Sequence, residues 1–212
     1  MFKRLIFLGP PGVGKGTQAK RLAARFGLTH ISTGGILREV SQRNTPLAQE
    51  VRSYMEQGLL VPDDLVLNLL LERLEGVGDR EGYILDGYPR NLKQAEDLEK
   101  VGVVPEKVVY FTADEETLIK RISGRRICVR CGRIYNIYYS PPPKEGRCEC
   151  GGELFQRQDD KEDVVRARLS EYYQKTAPLI KYYKEKNLLV EVTAEDDPDQ
   201  VYENLRRVIE AP

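Results

Sequence analysis

The segment Gly9-Pro10-Pro11-Gly12-Val13-Gly14-Lys15-Gly16-Thr17 lies between a strand pattern and a helix pattern. Residues 5–8 form an apolar run that predicts a buried strand, and Ala19, Leu22 and Phe26 recur at helical spacing after the loop. A glycine-rich loop at such a junction can turn its backbone N–H groups around an anion, at the positive end of the helix. We therefore expect the loop to bind nucleotide phosphates, with the Lys15 ammonium reaching the outermost ones. The residues expected to bind phosphate are Gly12, Val13, Gly14, Lys15, Gly16 and Thr17.

The loop departs from the general Walker A pattern at one position. That pattern, G-x-x-x-x-G-K-[ST], has a hydroxyl residue directly after the lysine, whereas Gly16 occupies this position here and Thr17 follows. The departure indicates a particular subtype of nucleotide-binding protein. The alternative is a tight strand-to-helix turn with a solvated lysine, which the flanking strand and helix patterns disfavour.

Further apolar segments at residues 83–85, 108–111 and 188–192 are separated by helical patterns. This alternation predicts an α/β fold, in which a central parallel sheet lies between two layers of helices and binds ligands at the carboxyl ends of its strands. Two segments interrupt the alternation and are expected to be insertions over that edge. The predicted division is a core of residues 1–31, 62–124 and 161–212, a first insertion at 32–61 and a second at 125–160.

Overall composition restricts the class of partner and the compartment. The net charge is zero, so the chain lacks the positive excess that drives nonspecific binding of nucleic acid. Residues 1–4 lead directly into the first predicted strand without a cleavage-site pattern, and no apolar run approaches about 18 residues. These features predict a cytoplasmic protein that binds neither nucleic acid nor membrane.

Asp86 follows the apolar segment 83–85 and therefore ends a predicted strand at the ligand-binding edge. A carboxylate in that place can order Mg²⁺ or its waters. The alternative is an aspartate that caps a helix or a turn, and the two roles are compatible.

Arg90 comes directly after Pro89. A turn stiffened by proline suits an arginine whose guanidinium binds a phosphate through two hydrogen bonds.

Further arginines occur at the ends of predicted elements and around the second insertion. Taken singly, each is expected to be a solvated surface charge. Taken together, they form the kind of guanidinium ring that could neutralise a phosphoryl group moving between two facing nucleotides. These residues are Arg38, Arg121, Arg125, Arg126, Arg157 and Arg168.

Taken together, five blocks of sequence resemble the adenylate kinase family, in its bacterial type with a long zinc-bearing lid. The similarity extends over nearly the entire chain, and the Lys-Gly-Thr and Asp-Gly-Tyr-Pro-Arg endings are more selective than Walker A alone. The blocks are residues 9–17, 30–34, 85–90 and 124–126, and the stretch from Arg157 through Asp159-Asp160 to Arg168.

The resemblance implies a P-loop fold and the Mg²⁺-dependent reaction ATP + AMP ⇌ 2 ADP, which balances the adenine nucleotides. Its implied partners are ATP, AMP and ADP, and the implied state is a cytoplasmic monomer. Residues 32–61 would form a mobile domain that binds the nucleoside monophosphate (NMP), and residues 125–160 a mobile lid. No general base is required, because the AMP phosphate oxygen is already ionised.

The family pattern also implies roles for individual positions of this sequence. The catalytic set would be Lys15, Asp86, Arg90, Arg125, Arg157 and Arg168. ATP would contact Gly12 to Thr17, Arg121, Arg125, Ile134 and Tyr135. AMP would contact Thr33, Arg38, Leu59, Leu60, Val61, Gly87, Tyr88, Pro89, Arg90, Gln94, Arg157 and Arg168.

Gly35 and His30 lie at or next to the start of the first insertion. The family has aspartate where this chain has Gly35, and the change is expected to alter the N-cap of the following helix. His30 is the sole histidine, and a packing or capping role is expected for it because this chemistry needs no imidazole.

All four cysteines lie within residues 128–150, too close together for a disulfide framework. Cys128 and Cys131 are separated by two residues, as in a zinc knuckle, and Cys148 and Cys150 by one, where the family has two. Four thiolates leave no open coordination position, so a bound Zn²⁺ would be structural. The alternative is a set of reduced thiols in a lid closed without metal.

Three other functions were compared with this one. The nearest is a kinase for UMP, CMP or GMP, since base choice depends on a few contacts near Thr33, Leu60 and Gln94. A P-loop GTPase would need an Asn-Lys-x-Asp block, which the sequence lacks. A zinc ribbon that binds nucleic acid would need a surrounding basic and aromatic excess, which is also missing.

Overall fold

A computed structural model describes residues 1–77, 82–195 and 197–210. The strands are β1 (Arg4–Leu8), β2 (Thr29–Ser32), β3 (Tyr83–Asp86), β4 (Lys107–Thr112), β5 (Arg125–Cys128), β6 (Ile134–Asn136), β7 (Leu154–Phe155) and β8 (Leu189–Thr193). Five of them form a parallel sheet in the order β2-β3-β1-β4-β8. The other three pair antiparallel in the order β6-β5-β7.

Helices follow the strands of the parallel sheet and cover both of its faces, which confirms the predicted α/β class. Among the residues just given, no helix is long and apolar enough to cross a membrane. The helices are α1 (Lys15–Phe26), α2 (Thr33–Ser41), α3 (Pro46–Glu56), α4 (Asp63–Leu74), α5 (Leu92–Lys100), α6 (Glu115–Ser123), α7 (Glu162–Glu171), α8 (Pro178–Glu185) and α9 (Pro198–Glu210).

Alternation along β1 divides the core into two layers. Leu5 and Phe7 pack with buried residues of α1, α6, α7 and α9, and the Phe7 ring meets Phe111 edge-on at 5.0 Å between centroids. Ile6 and Leu8 point to the opposite face and pack with α2, α4, α5 and α8. Because β1 is buried on both faces, each of its large apolar side chains contributes about 1.5–3 kcal/mol of burial free energy.

Strand register brings the candidate site residues to one edge of the sheet. In the parallel pairs, Asp86 lies beside Phe7 of β1 and beside Ser32 of β2. The loops that follow β1, β2 and β3 therefore meet at their carboxyl ends. Strand β2 was not among the predicted strands, although its residues were part of the family blocks.

The first insertion begins at α2, whose N-cap forms despite Gly35. Ser32 is the N-cap residue, and its Oγ accepts a hydrogen bond from Gly35 N at 3.3 Å. The part of a capping box that is missing is an acidic side chain at position 35 returning to Ser32 N. Gly35 therefore alters the N-cap of α2 only by removing the hydrogen bond that Ser32 N would donate to a side chain at position 35.

A π-helical turn at Tyr172–Thr176 lies between α7 and α8. Ala177 N donates to the carbonyl of Tyr172, five residues earlier, at 2.9 Å. Pro178 cannot donate, and in a regular helix its ring would clash with the carbonyl of residue 174, so the wider turn precedes it. Within this turn, the Tyr172 side chain is buried and Tyr173 is 47% exposed.

Candidate active site

The phosphate loop joins β1 to α1 and lines a cleft of about 1170 Å³. Gly14 is the N-cap residue of α1 and has a φ of 100°, which glycine adopts readily. Lys15 begins the helix, and its Nζ donates to the carbonyls of Gly9 (2.6 Å) and Pro10 (2.9 Å). Burial lowers the pKa of Lys15 to about 8, although the charge of Asp86 opposes the shift. The loop therefore offers the cleft a helix N-terminus and an ammonium that an anion would stabilise.

Asp86 ends β3 directly beside this loop. A Cβ at position 16 would lie 3.2 Å from Asp86 Oδ2, tighter than such contacts usually are. This close approach explains why Gly16, and not a hydroxyl residue, follows the lysine. Burial opposes ionisation of Asp86, but its hydrogen bond with His30 Nε2 (3.2 Å) and the charge of Lys15 hold its pKa below the usual value.

Two carboxylates hold two of the predicted catalytic arginines. Asp160 is fully buried and accepts hydrogen bonds from Arg125, from Nε at 2.8 Å and also from Nη2. Arg168 Nη1 lies 3.2 Å from Asp159 Oδ2 and 3.6 Å from Asp160 Oδ1. Bidentate pairing of this kind fixes the orientation of a guanidinium as well as its position.

The remaining arginines of the cleft are less well compensated. Burial, with repulsion from Arg168 next in size, lowers the pKa of Arg90 to about 10. Burial and repulsion from Arg125 and Arg38 lower the pKa of Arg157 to about 10, and burial also lowers that of Arg38. Burial is the largest cause of each shift and nearby guanidiniums add to it, so the charged form of these arginines would be stabilised by anions such as phosphates.

The side chains of Thr33 and Gln94 are engaged with the protein itself. Thr33 Oγ1 donates to the carbonyl of Gly87 at 2.8 Å. Gln94 Oε1 accepts from Arg90 N at 2.6 Å, and Gln94 Nε2 donates to Asp63 Oδ1 at 2.7 Å. Contact of either side chain with a nucleotide base stays a prediction.

The structure brings most of the predicted residues together. A small second cavity, about 10 Å³, is bordered by Thr33, Tyr88 and Gln94, which do not line the main cleft. It shares wall residues with the main cleft, so the two are adjacent. The predicted residues that line the main cleft are Gly12, Val13, Gly14, Lys15, Gly16, Thr17, Arg38, Leu59, Leu60, Val61, Asp86, Gly87, Pro89, Arg90, Arg121, Arg125, Ile134, Tyr135, Arg157 and Arg168.

The residues predicted to face ATP from α6 and from the second insertion differ in accessibility. Ile134 is 46% exposed in the cleft wall. Arg121, at the end of α6, donates through Nη1 to the carbonyl of Ala194 at 2.6 Å. Tyr135 is buried, and its hydroxyl lies 3.3 Å from Cys148 Sγ. The polar end of this tyrosine therefore contacts the cysteine cluster.

The four cysteine sulfurs lie within 4.8 Å of one another and could bind a metal ion. Cys128 Sγ is 3.5 Å from Cys150 Sγ, and Cys131 Sγ is 3.6 Å from Cys148 Sγ. Tetrahedral coordination with metal–sulfur bonds of about 2.3 Å places sulfurs about 3.8 Å apart, so small outward shifts would complete a four-thiolate site. The shorter Cys-x-Cys spacing does not prevent convergence.

Sequence reasoning missed several residues of the cleft. His30 was expected to pack or cap, but it lines the cleft and contacts Asp86. Thr176 Oγ1 donates to the carbonyl of Arg90 at 2.7 Å and so connects the π-helical turn to the site. The pairing of Asp159 and Asp160 with arginines was also unassigned. The one available signal was their position between two predicted catalytic arginines.

Comparison with known proteins identifies the family. A family model described as adenylate kinase matches residues 7–188. An adenylate kinase of Thermodesulfovibrio yellowstonii is 46% identical over 212 residues, which cover 98% of this chain and 99% of the relative. Adenylate kinases of Caldicellulosiruptor saccharolyticus (49% identical; 92% and 93% covered) and Archaeoglobus fulgidus (44%; 97% and 97%) are similar over comparable lengths. The chain belongs to the adenylate kinase family, whose members transfer a phosphoryl group between ATP and AMP.

Proposed function

We propose that this chain carries out ATP + AMP ⇌ 2 ADP within the cleft described above, with ATP at the phosphate loop and AMP at the opposite end. The observation that supports this arrangement most strongly is that the phosphate loop and five arginines from separate segments line the same cleft. Two nucleotides that meet end to end bring several negative charges to the junction, and only convergent cations can neutralise them there. The five arginines are Arg38, Arg90, Arg125, Arg157 and Arg168.

On the ATP side, the backbone N–H groups of residues 12–17 hold the phosphates, and Lys15 Nζ exchanges its carbonyl partners for phosphate oxygens. Adenylate kinases use Mg²⁺ with ATP, and the hard oxygens of an ionised Asp86 suit this ion or its waters. When bound, Mg²⁺ would supply charge neutralisation at the transferred phosphoryl group. Arg121, Ile134 and Tyr135 border the same part of the cleft.

On the AMP side, Arg38 and Arg90 bind the phosphate, while Arg157 and Arg168 reach towards the transferred group. Their crowded positive charges favour an anion before any nucleotide arrives. The base lies against Leu59, Leu60 and Val61, near the small cavity bordered by Thr33, Gly87, Tyr88 and Gln94. Pro89 holds the turn that presents Arg90.

Catalysis rests on alignment, charge neutralisation and exclusion of water, without a general base. We infer that residues 32–61 and 125–160 are the moving parts, an NMP-binding domain and a lid, on a core of residues 1–31, 62–124 and 161–212. Both segments contribute arginines to the cleft, so their closure would complete the cation ring.

We infer further that the enzyme is a cytoplasmic monomer, and sedimentation equilibrium tests the monomeric state.

The metal of the cysteine cluster is inferred to be Zn²⁺. Four convergent sulfurs match its preferred ligand set, and full occupation by protein ligands leaves the ion a structural role. Such an ion would connect the turns at residues 128–132 and 148–152 and thereby stiffen the lid.

A coupled assay with MgATP and each of AMP, CMP, UMP and GMP tests the proposed reaction. We expect turnover with AMP far above that with the other monophosphates. Failure with AMP but turnover with another monophosphate would contradict the substrate assignment.

Arg90→Ala should lower kcat/KM for AMP by about 10²–10³-fold. Arg206→Ala, which removes a surface arginine of α9, provides the matched control and should behave as wild type.

A further inference from the structure

Tyr135 links strand β6 to the cysteine cluster. Its side chain is 5% exposed, and its hydroxyl lies 3.3 Å from Cys148 Sγ. The same oxygen accepts a hydrogen bond from Glu149 N at 3.3 Å. Both partners belong to the second cysteine turn, so one hydroxyl contacts two consecutive residues of the shortened Cys-x-Cys segment.

The two cysteine turns differ in how they support their first sulfur. Cys128 Sγ accepts a backbone hydrogen bond from Arg130 N at 3.4 Å, and the turn closes with Gly132 N donating to the Cys128 carbonyl at 3.0 Å. The second turn closes one residue sooner, because Gly151 N donates to the Cys148 carbonyl at 2.8 Å.

The first sulfur of the second turn has a side-chain neighbour. Cys148 Sγ lies 3.3 Å from the hydroxyl of Tyr135 in β6. The hydroxyl thus supports the Cys148 sulfur as the backbone N–H of Arg130 supports that of Cys128.

The direction of the hydrogen bond follows from the chemistry of a metal ligand. A cysteine bound to a metal is a thiolate, which has no proton and can only accept. The tyrosine hydroxyl has one proton to donate, and it accepts from Glu149 N. In the loaded protein the proton therefore points from Tyr135 Oη to Cys148 Sγ.

We propose that Tyr135 is a positioning residue of the metal centre, whose hydroxyl donates to the Cys148 thiolate in the turn with the shortened Cys-x-Cys spacing. The inference rests on the structural metal site proposed above. It also connects the metal to the nucleotide cleft, because the preceding residue of β6, Ile134, is exposed in the cleft wall and the following one, Asn136, donates to the Arg121 carbonyl at 2.9 Å.

Tyr135→Phe tests the proposal, because it removes the hydroxyl and keeps the ring. Tyr138→Phe is the matched control, since this tyrosine lies three residues further on in the same segment and is 59% exposed. Zinc affinity is measured by competition with a chromophoric chelator on the full chain. Partners of metal ligands typically change affinity by about 10–100-fold, and we expect a loss in this range for Tyr135→Phe and none for Tyr138→Phe.

A second measurement separates a metal role from a packing role. Melting temperatures are compared for each variant with zinc loaded and with zinc stripped by EDTA. Tyr135→Phe should narrow the gap between loaded and stripped protein, whereas a defect in packing would lower both values equally and would overturn the inference. Equal zinc affinity in wild type and both variants would overturn this inference alone. A wild-type protein that holds no zinc would overturn the metal proposal and this inference with it.

Discussion

We predict that Lys15 takes up a proton when a nucleotide binds above neutral pH. In the free protein its ammonium is half-buried and donates to two loop carbonyls, and burial is the largest cause of its pKa of about 8. The ordinary pKa of lysine is 10.5, so charging Lys15 in the free site costs about 3 kcal/mol more than in water. Phosphate oxygens beside Nζ favour the charged form and should return the pKa towards its usual value.

The size and sign of the effect follow from these values. With a pKa of about 8, free Lys15 is about one-quarter protonated at pH 8.5 and about nine-tenths protonated at pH 7. If the bound form is fully protonated, binding takes up about 0.8 proton at pH 8.5 and about 0.1 at pH 7. Nucleotide phosphates lose their last proton near pH 6, and Arg90, with a pKa of about 10, stays charged at pH 8.5. Affinity for ATP should therefore fall as pH rises above 8.

Isothermal titration calorimetry measures the proton directly. MgATP is titrated without AMP at pH 7 and pH 8.5, in pairs of buffers that differ in ionisation enthalpy, and the difference in heat gives the number of protons taken up. Lys15→Met is the control and should bind more weakly with almost no uptake at either pH. Uptake below about 0.2 proton at pH 8.5 in the wild type would refute the reasoning, as would an equal uptake in Lys15→Met.

Three further substitutions test local features. Gly35→Asp should raise the free energy of unfolding by about 1 kcal/mol, because it completes a capping box on α2 and replaces a helical glycine; urea denaturation measures it. Gly152→Ala would place a methyl carbon 2.6 Å from Cys128 Sγ, so it should weaken zinc binding and lower the melting temperature of the loaded protein. Asp160→Asn should cost about 3 kcal/mol in guanidinium unfolding, since it removes the buried carboxylate that pairs with Arg125.

These expectations have clear contrary outcomes. A neutral or destabilising Gly35→Asp would show that the cap gains nothing from an acidic side chain. If Gly152→Ala melts at the wild-type temperature both with and without zinc, the glycine is not required by the cluster. Asp199→Asn is the comparison for Asp160, because its carboxylate is 84% exposed in an ion pair and should cost at most about 1 kcal/mol.

The sequence was most informative where strong patterns coincided. The apolar runs at 83–85 and 108–111 form strands inside the central sheet, where a buried parallel strand has to be apolar on both faces, and the run at 188–192 forms most of the edge strand β8. By contrast, β2 (Thr29–Ser32) is short and partly polar. Its own residues give only a weak strand signal, and hydrogen bonding to β3 stabilises it as a strand. That pairing cannot be read from the local sequence pattern.

The small antiparallel sheet of the second insertion was unpredictable for a similar reason. Its strands β6 and β7 have three and two residues, too few for a periodic signal. Contacts between side chains were equally hidden, as the partners of Asp160 and His30 lie 35 and 56 residues away along the chain. The residue types in the sequence indicated which charged side chains the site contains. Which of those side chains contact one another depends on the fold.

The π-helical turn has a consequence for chain length. Arg168 and Thr176 both line the cleft, yet residues eight apart in a regular α-helix differ in direction by about 80°. Residues seven apart differ by only about 20°, so the turn accommodates one residue more than a regular helix would need to present both side chains to the cleft. The wider turn therefore does two things at once: it makes room for the Pro178 ring, and it accommodates the extra residue between Arg168 and Thr176.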